Sequence, residues 1–121
     1  MVALSIATQL TQAQQQFQAG NLAEAEVLYQ QVVEHDPNHL EAWFWLALIA
    51  DQLGRTTDSV ARYERVLQIQ PDSPEAHGNL GSVLLKLRRF EAAIAHHRRS
   101  VQLIPENAKA HYNLAIALYE N

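Results

Sequence analysis

The sequence predicts an all-α protein, a right-handed α-solenoid of antiparallel helix pairs with about seven helices. Three observations carry that prediction. Pro37, Pro71 and Pro105 stand thirty-four residues apart each time, and Pro74 alone lies outside the series. Apolar residues recur every three or four positions on both sides of each break, the period of an amphipathic helix and not of a strand. With the prolines aligned, other columns fall into line: Gly20 above Gly54, Tyr29 above Tyr63 and His97, Ala25 above Ser59 and Ala93, Leu46 above Leu80 and Leu114, Ala42 above Ala76 and Ala110.

The register divides one domain, 1–121, into units 6–39, 40–73 and 74–107, with 108–121 as the first part of a fourth. Each unit reads as two helices, so helices are predicted at 4–19, 22–35, 41–53, 56–69, 75–87, 90–103 and 109–121. Gly20 and Gly54 can take the left-handed backbone that ends a helix, and the residue before each proline is pushed out of the helical region. Asn38 with Glu41, and Asp72 with Glu75, have the spacing of a capping box, while Pro74 suits a first helical position. A pair of short helices cannot bury its own apolar face, so such units must stack to be stable. Ala13, Ala47, Gly81 and Ala115 mark where helices approach closely; Tyr29 and Tyr63 fill the space between units.

Composition narrows the function classes. A chain of 121 residues that is 48% hydrophobic and 18% charged has the make-up of a folded domain. The absence of cysteine removes disulfides, thiolate ligands and cysteine nucleophiles. Polar residues interrupt the apolar ones throughout MVALSIATQLTQAQQQF, so neither a signal peptide nor membrane insertion is expected, and the cytoplasm is the expected compartment. A net charge of -4 argues against nucleic acid, whose binding draws on phosphate neutralisation by Lys and Arg. The charge is also lopsided: no Lys or Arg precedes Arg55, whereas Lys86, Arg88, Arg89, Arg98 and Arg99 crowd the third unit. That stretch reads as a solvated outer face; its alternative is head-to-tail docking on Glu24, Glu26, Glu34 and Asp36 of another copy.

The second unit opens Trp43-x2-Leu46-Ala47 and continues Ser59-x3-Tyr63 to Pro71; the third reads His77-x2-Leu80-Gly81, then Ala93-x3-His97 and Pro105. These columns resemble the tetratricopeptide repeat (TPR) over nearly the whole chain. The first unit keeps its second half only, with Gln9 and Gln12 where the pattern has Trp and Leu, as expected of a polar outer face at an N-terminal end. The runs AHGNLG (76–81) and AHYNLA (110–115) are similar to repeats of the O-linked N-acetylglucosamine transferases. That likeness implies that Asn79 and Asn113 belong to an inner asparagine ladder holding the backbone of an extended polypeptide; Trp45 takes the equivalent place in the second unit.

In this architecture the first helix of each pair lines the concave surface. The inner stripe then holds Phe44, Trp45, Leu48 and Asp51, next Gly78, Asn79, Ser82 and Lys86, and last Tyr112, Asn113, Ile116 and Tyr119. The expected function is a protein–protein interaction module, a scaffold that takes a peptide or partner helix in the groove. Phe44, Leu48, Tyr112 and Ile116 would meet apolar side chains while Asn79 and Asn113 bond backbone amides. Trp45 and Tyr119 fit either the groove or the packing. A clamp for a terminal carboxylate is not expected, since only Lys86 and Lys109 are basic on the inner helices and Glu41 and Asp51 would repel an acid.

No metal or other cofactor is expected. His35 and His39 straddle Pro37, no acidic or cysteine ligand accompanies His96 and His97, and His77 and His111 fall in a packing column. No serine, histidine and carboxylate set and no glycine-rich phosphate loop is recognisable, so the chain is not expected to be an enzyme. Helix 109–121 has Tyr112, Leu114, Ile116, Leu118 and Tyr119 spread around it, a poor outer cap. The chain is therefore expected to be part of a longer array, with a homo-oligomer through this helix as the alternative. A substrate-presenting arm of a larger protein glycosyltransferase is the other function to weigh.

Overall fold

The computed structural model describes residues 5–121, and among them lie seven α-helices and no strand. They are α1 (Ile6–Gln18), α2 (Leu22–His35), α3 (Leu40–Gln52), α4 (Thr56–Ile69), α5 (Pro74–Lys86), α6 (Phe90–Leu103) and α7 (Ala108–Glu120). The expected start of the first helix at residue 4 lies outside the described residues. Consecutive helices pack as the pairs α1–α2, α3–α4 and α5–α6, each pair lying against the next, with α7 against α6 and touching α5. The result is the predicted helical solenoid.

Helices α3, α5 and α7 begin at 40, 74 and 108, one residue earlier than the sequence suggested, and the expected caps Asn38 and Asp72 are not the ones used. The caps are His39, Ser73 and Asn107, whose side chains accept from the backbone N–H of Ala42, Ala76 and Ala110. Pro74 takes the first turn of α5, as expected. Asn38 and Asp72 are spent differently. Arg65 Nη2 donates to Asn38 Oδ1 at 2.8 Å and Arg99 Nη2 to Asp72 Oδ1 at 2.7 Å, so α4 and α6 are each tied to the loop preceding their partner helix.

A second bond repeats at the same register. Trp43 Nε1–H donates to the Pro37 carbonyl at 2.7 Å, His77 Nε2 meets the Pro71 carbonyl at 2.8 Å, and His111 Nε2 the Pro105 carbonyl at 2.6 Å. A ring N–H is what the column requires, which is how histidine replaces tryptophan there. Gln9 stands at this position in the first helix, and the matching carbonyl lies outside the described residues. Gln9 is buried rather than on the expected outer face, and its Nε2 donates to Gln31 Oε1 at 3.3 Å.

The core follows the small and large columns. Tyr29, Val32, Leu46 and Ile49 close the space between the first two pairs, and Tyr63, Val66, Leu80 and Val83 close the next. Ala13 and Ala47 are fully buried, and a Cβ at Gly81 would stand 2.8 Å from the His97 ring. Ala115, expected in the same role, is exposed, since among the described residues no helix packs over it as α4 and α6 do over Ala47 and Gly81. Between the first two pairs, buried Glu26 is held by Arg62 at 2.7 Å and Arg55 at 2.9 Å. Burial pushes its carboxyl up, but the hydrogen bonds and charges of Arg62 and Arg55 outweigh that and hold it below the ordinary value of 4.5.

Candidate functional site

Helices α3, α5 and α7 are the first members of their pairs, and their residues form a row of three adjoining depressions. The middle one, of about 250 Å³, lies among Phe44, Gly78, Asn79, Ala110 and Asn113, with Glu75 and Lys109 at its edge. It shares Asn113 with a depression of about 340 Å³ lined by Ser82, Leu85, Lys86, His97, Ile116 and Glu120. On the other side it shares Phe44 and Glu75 with one of about 300 Å³, where Leu40, Glu41, Trp45 and Val66 complete the wall. Together they form one groove across the solenoid.

Seven of the ten sequence-predicted residues border this groove: Phe44, Trp45, Asn79, Ser82, Lys86, Asn113 and Ile116. Leu48, Asp51 and Tyr112 line none of the three depressions. Leu48 is half-buried, and Tyr112 is 66% exposed on α7. Asp51 accepts from Lys86 Nζ at 2.7 Å, an ion pair that bridges α3 and α5 and cancels both charges.

Trp45 serves packing as well as the groove. It meets Phe17 edge-on with ring centroids 4.9 Å apart and stacks on Tyr29 at 6.4 Å. The substitution of Trp for Asn in this column has a consequence one helix back. In the second interface Asn79 stands beside the Tyr63 hydroxyl; in the first, Trp45 makes no hydrogen bond to the buried Tyr29 hydroxyl, which has no partner among the described residues. Burial pushes both phenols up to about 12, with Glu41 adding to the effect at Tyr29 and Asn79 opposing it at Tyr63. Asn113 makes no side-chain hydrogen bond among the described residues and is left half-exposed in the groove.

Lining residues outside the expected set include Glu75 and Lys109, Pro74 at the start of α5, Ser100 in α6, and Ile104 and Asn107 between α6 and α7. Glu41, Glu75 and Lys109 form a column at thirty-four-residue spacing, so the signal was present. In the sequence Glu41 and Glu75 weigh as capping partners, and Glu41 and Lys109 otherwise only in the case against a carboxylate clamp. Among the described residues no group of three or more His, Asp or Glu side chains could hold a metal ion, and no helix is long and apolar enough to cross a membrane.

Family models described as tetratricopeptide repeat match residues 16–78, 50–108 and 79–121. The chain belongs to the tetratricopeptide repeat family. Among curated proteins, none is similar enough in sequence to count as a relative. Solved tetratricopeptide structures are similar over almost the full chain. The MamA protein superposes with a TM-score of 0.90 at 23% identity over 95% of this chain and 63% of its own. A mutant O-GlcNAc transferase of Thermobaculum terrenum gives 0.85 at 25% identity over 96% of this chain and 22% of its own. The first TPR of Spaghetti (RPAP3), bound to an HSP90 peptide, gives 0.90 at 17% identity over 95% and 91%. This chain thus spans less than two thirds of the MamA and transferase chains.

Proposed function

We propose that this tetratricopeptide protein is a binding module, not an enzyme, and that it holds an extended segment of another polypeptide along the groove of α3, α5 and α7. Its units are 6–39, 40–73, 74–107 and the partial 108–121. The observation that carries the reading is the placement of Asn79 and Asn113, one repeat apart, on the wall of the same depression, with the Asn113 amide uncommitted. An amide side chain both donates and accepts, so a pair at repeat spacing suits successive peptide groups of an extended backbone. Phe44 and Ile116 supply apolar contact on either side. The similarity to the peptide-bound TPR of Spaghetti supports a peptide occupant for this fold. Replacing both residues (Asn79→Ala with Asn113→Ala) should weaken a groove-bound peptide by about tenfold, two lost hydrogen bonds at about 0.5–1.5 kcal/mol each. Calorimetric titration of a peptide recovered by library panning measures this, and unchanged affinity would reject the ladder.

Two other readings each rest on an observation. Similarity to a chain of which this one spans 22% supports a substrate-presenting arm of a larger glycosyltransferase, and the sequence following residue 121 in the gene decides it. The exposure of Tyr112, Leu118 and Tyr119, at 66%, 45% and 91%, supports self-association through α7. Light scattering over a concentration and salt series should then give a dimer insensitive to salt; a monomer at every concentration removes this reading.

A further inference from the structure

The three depressions of the groove differ in charge, and the one between α3 and α5 is the most one-sided. Its floor is Leu40, Phe44, Trp45 and Val66, and its rim carries Glu41 and Glu75. Both carboxylates are exposed, and neither forms an ion pair among the described residues. Gln14 Nε2 donates to one oxygen of Glu41 at 3.1 Å, which leaves the other open. No Lys or Arg lines this depression. Of the nearby groove lysines, Lys86 is committed to Asp51, and Lys109 lines the middle depression with Glu75 without forming an ion pair with it. The chain around it is acidic: residues 6–39 hold four acids and no Lys or Arg, and residues 40–73 hold five acids against three arginines.

A carboxylate in the first turn of a helix is favoured by the helix dipole, and Glu41 and Glu75 are so placed. That preference is weak, however, and the same position in α7 is Lys109, so the column does not demand an acid for folding. What the dipole leaves unexplained is an aromatic floor between two unpaired carboxylates. A long cationic side chain satisfies all of these features together. Its methylene stem covers Phe44 and Trp45, its charged head reaches the two glutamates, and the aromatic rings favour a cation above them.

We propose that the depression bounded by Glu41, Phe44, Trp45 and Glu75 is a subsite for an arginine or lysine side chain of the bound polypeptide. This rests on the groove reading above and adds the chemistry of one position of the ligand. The test pans a random dodecapeptide library over the full 121-residue chain and maps each selected peptide by amide and indole shifts in NMR spectra. Peptides that shift the Asn79 and Asn113 side chains should share a basic residue and should also shift the Trp45 indole. Replacing that residue, if arginine, by neutral citrulline of the same shape should weaken binding about tenfold. Glu41→Gln combined with Glu75→Gln should weaken the parent peptide similarly and leave the citrulline peptide unaffected. The citrulline comparison uses the unaltered protein, so it stands even if the double variant folds poorly. Peptides that map to the groove with no basic preference, or that tolerate citrulline, overturn the subsite while the groove reading survives. Peptides that map only elsewhere overturn both.

Discussion

At the scale of single residues, the turn that closes α5 is the place where sequence and backbone disagree. Gly20 and Gly54 end the first helices of their pairs with φ of 84° and 78°, and a Cβ there would meet nothing. The third turn has the same shape with Arg88 at φ 59°. A side chain in the left-handed region costs about 1–2 kcal/mol, part of which is regained here by the Arg88 guanidinium lying 5.1 Å from the Phe90 ring centroid. Arg88→Gly should therefore stabilise the protein by about 0.5–1 kcal/mol despite the added freedom of the unfolded chain, read as a raised midpoint in urea at unchanged slope. The strain was not legible in the sequence, since a turn inherited from the repeat register is invisible once its glycine is gone.

At the scale of elements, α6 differs from α2 and α4 by putting two imidazoles where they have none. His96 and His97 occupy the positions of Leu28 and Tyr29, and of Arg62 and Tyr63. With His77 Nε2–H turned to the Pro71 carbonyl, the His77 Nδ1 lone pair faces His96 Nδ1–H at 3.0 Å. Burial first, and then the neighbouring His77, pushes His96 below its ordinary 6.5; burial and then His96 do the same to His97. The unfolded chain therefore takes up these protons first. Stability is complete above about pH 6.5 and is lost as pH falls through the lowered folded values. Glu26, whose folded value lies below 4.5, adds a further loss in more acid solution. Urea midpoints should drop between pH 7.5 and 5.5, and His96→Leu with His97→Tyr, the residues of α2, should flatten that drop. An unchanged slope with pH in this variant would show that other groups carry it. The helices themselves were legible to within two residues at each end, because proline spacing and apolar period fix them. Their caps were off by one, because Asn38 and Asp72 have capping chemistry but are drawn away by Arg65 and Arg99.

At the scale of the whole molecule, the groove was legible as a stripe on the first helices, but not as a set of charges. Periodicity brings seven of the ten expected residues to the depressions; it could not tell that Asp51 and Lys86 neutralise each other or that Trp45 turns partly to Phe17, since both depend on side chains from a neighbouring pair. The same neighbour logic governs the end of the solenoid. In a stacked array stability is nearly a sum of interfaces between adjacent units, and among the described residues α7 packs against α6 and α5 with no helix on its far side. Ala47, Gly81 and Ala115 share a column; the first two are buried under Tyr63 and His97, and the third is bare. The slot beside α7 is therefore shaped for a helix carrying a small residue and, four positions later, an aromatic or histidine ring, as α2, α4 and α6 do. Residue 121 corresponds to residue 87 in the register, so appending a copy of residues 88–105 directly after Asn121 should place such a helix there. Covering Leu118 and Ala115 should raise the unfolding free energy by about 2 kcal/mol and steepen the dependence on urea, because more surface becomes buried in one cooperative unit. If midpoint and slope both stay where they are, α7 already works as the terminal cap, and its exposed tyrosines are free for a second protein to cover.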